Sequence, residues 1–116
     1  MKNFIQDGGT ITAVAPYDRT SGQGALIGQL FAVAAFSVLS GAEGEWVTTG
    51  VFDLIKAGSQ AWAVGALVYW DNTNRRCTTV ASGNTLIGVA MLAVGNTAGE
   101  TTGRVRLNGT ARPAEA

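Results

Sequence analysis

The sequence predicts an all-β domain, a small barrel or sandwich of about seven or eight short strands with little helix. Three observations lead there. Of 116 residues, 16 are glycine and only 2 proline, and Thr, Val and Ala recur throughout; β-branched residues set between glycine turns suit strands. Clusters of turn formers punctuate the chain at residues 17–24 (YDRTSGQG), 40–44 (SGAEG), 71–75 (DNTNR) and 81–84 (ASGN), each a natural break between strands. No window sustains a helical repeat over about ten residues or more.

The elements follow in order. Residues 1–9 are polar apart from Phe4 and Ile5, and read as an arm preceding a single β domain over 10–109 and a polar tail over 110–116. TITAVA, residues 10–15, alternates as a half-buried strand does, and Pro16 ends it. The run GALIGQLFAVAAFSVL, residues 24–39, is too short to cross a bilayer as a helix, which takes about 20 apolar residues. It reads as two buried strands, 25–27 and 30–36, broken at Gly28-Gln29. EWVTTGVFDLI, residues 45–55, is the longest strand candidate, with Trp46, Thr48, Gly50, Phe52 and Leu54 on one face; Gly50 suggests a bulge or a close backbone approach. A loop or one helical turn over 56–65 carries Trp62. Strands at 66–70 and 76–80 flank the DNTNR turn. TLIGVAMLAV, residues 85–94, is a further apolar strand, and GRVRL, residues 103–107, closes the domain with Arg104 and Arg106 on one face.

Several function classes drop out. Eight basic and eight acidic residues give zero net charge, and charged residues make up 14% of the chain; binding nucleic acid by bulk charge needs clustered Lys and Arg. There is no histidine, so the commonest general base and metal ligand is missing. The single cysteine forbids an internal disulfide and a thiolate zinc cage, and suits a reducing cytoplasm. Neither Lys2 nor Lys56 completes a phosphate loop. Asp7, Asp18, Asp53 and Asp71 are scattered, and Glu43 and Glu45 share a strand face at a turn, without a partner. No catalytic residue, metal or cofactor is expected.

VYWDNTNRRCTTV, residues 68–80, is the one stretch dense in chemistry. Arginines beside Cys77 could lower its pKa, but Arg76 alternates to the opposite face of a strand, and a free cysteine usually packs as a small hydrophobe. Tyr69, Trp70, Arg75 and Arg76 could stack bases on a small single-strand-binding barrel; Asp71 in the same hairpin offsets that charge. The reading of this stretch is a hairpin with an incidental thiol. Strands apolar on both faces need cover on both faces, and another subunit is one source of it.

The succession NFIQDG, ITAVAPY, TTGVFDL, GALVYWD, NTLIGVA and GRVRLNG, in that order, resembles tailed-phage and prophage capsid cement, or head decoration, proteins. It covers residues 1 to about 109, and no single piece is a catalytic motif. The resemblance implies a β-rich fold, no chemistry, and docking on the outer surface of a shell of major capsid protein as a small oligomer, a homotrimer favoured and a dimer possible. Nucleic acid and membrane are not expected partners. Phe4 and Ile5 are then expected to anchor a capsid-binding arm, and Leu30, Phe36, Trp46 and Trp62 to form the oligomer interface; for the two tryptophans a core role is the competing expectation. A tail or fibre component of the virion is the alternative of the same class.

Overall fold

The structure, a computed structural model, describes residues 9–116. Nine strands form: β1 (Thr10–Val14), β2 (Gly24–Ile27), β3 (Leu30–Ala34), β4 (Glu43–Val47), β5 (Thr49–Ile55), β6 (Leu67–Asp71), β7 (Arg76–Thr78), β8 (Thr85–Ala90) and β9 (Thr102–Asn108). The described residues contain no helix. The first four strands make an antiparallel sheet in the order β1-β4-β3-β2, and the other five an antiparallel sheet in the order β5-β9-β8-β6-β7. The all-β expectation holds, and the region 56–65 is a loop with no helical turn.

The strand expected over 45–55 is two strands, because the chain changes sheets at Thr48. Val47 pairs with Thr10 and Val33 in the first sheet, whereas Thr49 pairs with Asn108 in the second. Thr48 itself is buried, and its N–H donates to the Gly9 carbonyl at 2.9 Å. Of the face read as Trp46, Thr48, Gly50, Phe52 and Leu54, Trp46, Thr48 and Leu54 are buried, Phe52 is half-buried and Gly50 is exposed. The predicted break at Gly28-Gln29 is a two-residue hairpin turn between Ile27 and Leu30, with Gly28 at φ +63°. Positive φ at the first central position is the geometry such turns favour.

The five-stranded sheet curls into a half-barrel. Its edge strands β5 and β7 approach each other, and just past β5 the chain makes a parallel bridge from Lys56 to Cys77, with the Ala57 N–H donating to the Cys77 carbonyl at 2.8 Å. A register shift between Val68 and Tyr69 adds the local twist that a bulge supplies. Inside lie Leu54, Trp62, Val68, Trp70, Cys77, Ile87, Ala90, Val105 and Leu107. The predicted alternation of β9 is observed, with Val105 and Leu107 inward and Arg104 and Arg106 outward.

The four-stranded sheet closes the open side. On β3, Phe31 and Val33 point into the half-barrel core, where the Phe31 ring meets Trp70 at 4.9 Å between centroids. Ala32 and Ala34 point the other way, into a second cluster with Ala15, Ala25 and Trp46. Both faces of β3 are therefore covered within the chain, and the cover sought in another subunit is not needed for residues 31–34. The tail runs back over the molecule: the Arg112 N–H donates to the Gln29 carbonyl, and Glu115 exchanges backbone bonds with Gly83 and Asn84.

At Gly88 the β9 backbone occupies the space a side chain on β8 would need. A Cβ there would overlap the Arg106 carbonyl oxygen, which is backbone and has little room to yield. Gly88→Ala is expected to lower unfolding stability by about 3 kcal/mol, the upper end of overpacking costs. Gly99→Ala, where no atom lies within 4 Å, is expected to change it by about 1 kcal/mol or less. Urea unfolding of the two variants checks this, and equal effects would disprove the close approach.

Candidate functional site

The groups that could do chemistry are locked in the interior. Cys77 is fully buried, and burial pushes its thiol up to about 12. Lys56 is 1% exposed. Its ammonium donates to the Ala57 carbonyl at 2.7 Å and the Glu100 carbonyl at 3.1 Å, and lies 5.5 Å from the Trp62 ring centre. Burial holds its pKa below the usual lysine range, while the charge of Glu100 pulls it back up. Lys56 thus ties the loop before β9 to the closure of the half-barrel. The described residues hold no group of three or more His, Cys, Asp or Glu that could bind a metal ion.

The residues that suggested base stacking do not form a stacking surface. Tyr69 is 9% and Trp70 2% exposed. The Trp70 indole N–H donates to Asn72 Oδ1 at 3.1 Å, and the Tyr17 hydroxyl donates to the same oxygen at 3.0 Å. Arg75, at φ +55°, lays its guanidinium 3.7 Å from the centre of the Tyr17 ring, and Arg19 lies 4.8 Å from it. Asp71 fixes the hairpin by accepting from the Thr73 and Asn74 backbone and the Asn74 side chain, bonds that hold its carboxyl below the usual range. The stretch 68–80 is a hairpin, and its loop clasps the loop between β1 and β2.

The nominated interface residues separate. Trp46 is fully buried, and its indole N–H donates to the Ala13 carbonyl at 3.0 Å. Trp62 is 2% exposed, donates to Gln60 Oε1 at 3.1 Å, and fills the space above Gly103. Leu30 is half-buried. Phe36 lies beyond the end of β3 and is 70% exposed. Phe4 and Ile5 lie outside the described residues.

Two surfaces are apolar and open. The loop between β3 and β4 presents Phe36 and Leu39, beside a groove of about 260 Å³ lined by Arg19, Gln23, Val38 and Leu39. Sequence reasoning passed over Leu39, although its place at the end of an apolar run before SGAEG was the available signal. The second surface is the outer face of the half-barrel. There Val51, Arg106, Val89 and Leu67 stand in register across β5, β9, β8 and β6, with Val51 and Leu67 about half exposed. The neighbouring pair is Asp53 with Arg104, joined at 2.9 and 3.3 Å.

The family model for phage cement proteins matches residues 5–107. The chain therefore belongs to the phage cement protein family, which is structural and has its place on the virion capsid. Neither the curated proteins nor the solved structures include a match to it. No helix among the described residues is long and apolar enough to cross a membrane.

The buried thiol gives a direct check on this interior. Its folded pKa lies above the ordinary 9.0, so folding favours the neutral form. That contribution is complete below about pH 9 and is lost as pH rises towards 12. In the native protein Cys77 is expected to resist a thiol reagent at about pH 8 and to react fully once unfolded in guanidinium. Native labelling at the unfolded rate would show the thiol to be accessible.

Proposed function

We propose that this phage cement protein stabilises the capsid by binding the outer surface of the shell of major capsid protein. The observation that carries the reading is the family match, which extends from before β1 into β9. The physical logic is one of added interfaces. Packed DNA presses outward on the shell, and a subunit seated across neighbouring capsomers adds a contact that must break before they part. A specific contact buries roughly 1,200–2,000 Å² in total, and an oligomer that grips several capsomers gains avidity without new contacts. The absence of histidine and the burial of Cys77 and Lys56 accord with a building part.

In this reading the N-terminal arm, with Phe4 and Ile5, adds a strand to an open edge of the capsid protein, where backbone bonds supply the affinity. It leads directly into β1, an edge strand of its sheet. The protein is a homo-oligomer, a trimer matching the local three-fold axes of the shell in preference to a dimer. Phe36, with Leu30 beside the hairpin turn, belongs to the subunit contact, whereas Trp46 and Trp62 shape the interior that presents it. The protein is made in the host bacterial cytoplasm, where a chain with no disulfide to form is at no disadvantage, and the source is a phage or prophage.

Co-sedimentation with emptied, expanded shells tests the function: saturable binding is expected, and none at micromolar protein would refute it. Deleting residues 2–9 is expected to weaken shell binding by roughly tenfold or more, equivalent to about 1.4 kcal/mol; unchanged binding would end the arm's role. Light scattering is expected to give a trimer mass for the wild type. Phe36→Ser should shift that mass towards the monomer at an unchanged melting temperature, and an intact oligomer would remove Phe36 from the contact.

A further inference from the structure

At the seam between the two sheets, two cations converge without a counter-ion among the described residues. Arg19 and Arg75 both stack on Tyr17, at 4.8 and 3.7 Å. Among the described residues the ion pairs are Arg104 with Asp53 and Arg112 with Glu115; neither Arg19 nor Arg75 is in one. The polar contacts of Arg19 go to neutral carbonyls, Nε to Asp18 at 2.8 Å and Nη1 to Gly24 at 3.4 Å. The nearby carboxylates are engaged elsewhere: Asp18 accepts from the Ser40 N–H, Asp53 holds Arg104, and Asp71 holds its own hairpin. Partial burial acts most against the Arg19 cation, Tyr17 favours it, and the charge of Arg75 acts against it to a smaller extent.

Arg19 and Arg75 both line a cavity of about 70 Å³. Leu54 and Trp70 contribute apolar walls, Gly22 and Gly24 add no side chain to fill it, and Asp53 stands in the lining with its oxygens turned to Arg104. The space takes several waters, or a carboxylate with the methylene that carries it. Arg19 and Gln23 also line the larger groove, where Val38 and Leu39 supply apolar walls and Asp18, Thr20 and Ser37 polar ones, so the charged cavity and the groove share a wall. Arg75 leaves the hairpin from a left-handed backbone that side chains rarely adopt, and its guanidinium is held against the Tyr17 ring.

We propose that this cavity is a socket for an acidic side chain, aspartate or glutamate, of the capsid shell, and that the adjoining groove takes an apolar neighbour of that residue. The proposal rests on the docking reading above. The planar forks of two arginines match a carboxylate, which can accept paired bonds from each. Stacking on Tyr17 pre-orients them, so less freedom is lost when the acid enters. A nucleic-acid backbone fits less well, since it calls for a track of cations, and here there are two around one small cavity.

The test is shell co-sedimentation with Arg75→Gln against Arg76→Gln. Both remove one positive charge from adjacent positions, but Arg76 does not line the cavity. The expected result is a tenfold or greater loss of shell affinity for Arg75→Gln, little change for Arg76→Gln, and unchanged melting temperature and oligomer mass for both. The salt dependence of binding should also flatten for Arg75→Gln alone. If Arg75→Gln melts early, Arg19→Gln reads the same cavity and should show the same loss. Equal weakening by the Arg75 and Arg76 variants would reduce the effect to bulk charge and overturn the socket. A loss of affinity that comes with a changed oligomer mass would assign the cavity to a second copy and overturn it too. Wild-type binding matched by Arg75→Gln overturns the socket alone, whereas a wild type that never binds shells overturns the docking reading and the socket with it.

Discussion

The fold depends on one strand that has two faces to bury. Successive side chains of an extended chain point in opposite directions, so an uninterrupted apolar run such as LFAVA cannot put all its residues into one core. On β3 the large members, Phe31 and Val33, go into the half-barrel, and the small ones, Ala32 and Ala34, face the first sheet's own cluster. This division sets the relation between the sheets. A Phe ring at such a site contributes about 3–5 kcal/mol, a large share of the 5–15 kcal/mol that holds a typical domain together. The small residues on the other face leave room for Trp46, which packs there with Ala15 and Ala25. Gly24, opposite Val33, extends the same logic, because a Cβ on it would run into the Phe31 ring.

The half-barrel solves a second problem, that of its own edges. An open sheet leaves unpaired N–H and C=O groups along its outer strands. Here the curl brings the two edges close enough for Lys56, Ala57 and Cys77 to bridge them. The buried ammonium of Lys56 serves the same closure, capping two carbonyls that would otherwise lack that donor. Such a cation is not free of cost. Its folded pKa is lowered by desolvation, so it opposes folding while charged, and that opposition fades as pH rises through the lowered value. The Cys77 thiol has the reverse dependence, since its folded pKa is raised. The two buried groups at this seam therefore pull stability in opposite directions in alkaline solution.

Much of this was legible in local pattern, and what was not has a common cause. The alternation of residues 103–107 and the Gly28-Gln29 break were visible because they depend on neighbours in sequence. The division of 45–55 at Thr48 was not, because nothing local says that a strand changes sheets. Lys56 was half visible: it continues the inward series Phe52, Leu54, but a lysine at that point reads as surface charge until the carbonyls of Ala57 and Glu100 are placed around it. Tyr17 escaped notice because two of its three partners, Asn72 and Arg75, are more than fifty residues away. Phe36 ends an apolar run and reads as core, yet β3 stops at Ala34 and leaves the ring outside. The same limit explains why Arg75 read as part of an aromatic cluster with Trp70, when its aromatic partner, Tyr17, lies in the loop between β1 and β2.

A protein with zero net charge has little long-range attraction to steer it, so the placement of its few charges matters more than their number. Some of the charges are neutralised inside the chain, as with Arg104 and Asp53 or Arg112 and Glu115. A surface pair of that kind adds little to stability, and on the outer face of the half-barrel it also takes the charge of Arg104 out of play for a partner. Arg19 and Arg75 are the opposite case. They are drawn together by a shared aromatic ring in spite of their mutual repulsion, and no carboxylate of the described chain answers them. That arrangement stores recognition instead of stability: the repulsion persists in the free protein and is relieved when an acid arrives from outside. On the proposed docking reading such economy is an advantage, since a broad basic face would bind DNA and RNA without discrimination, whereas two oriented guanidinium groups beside a groove answer to a particular shape.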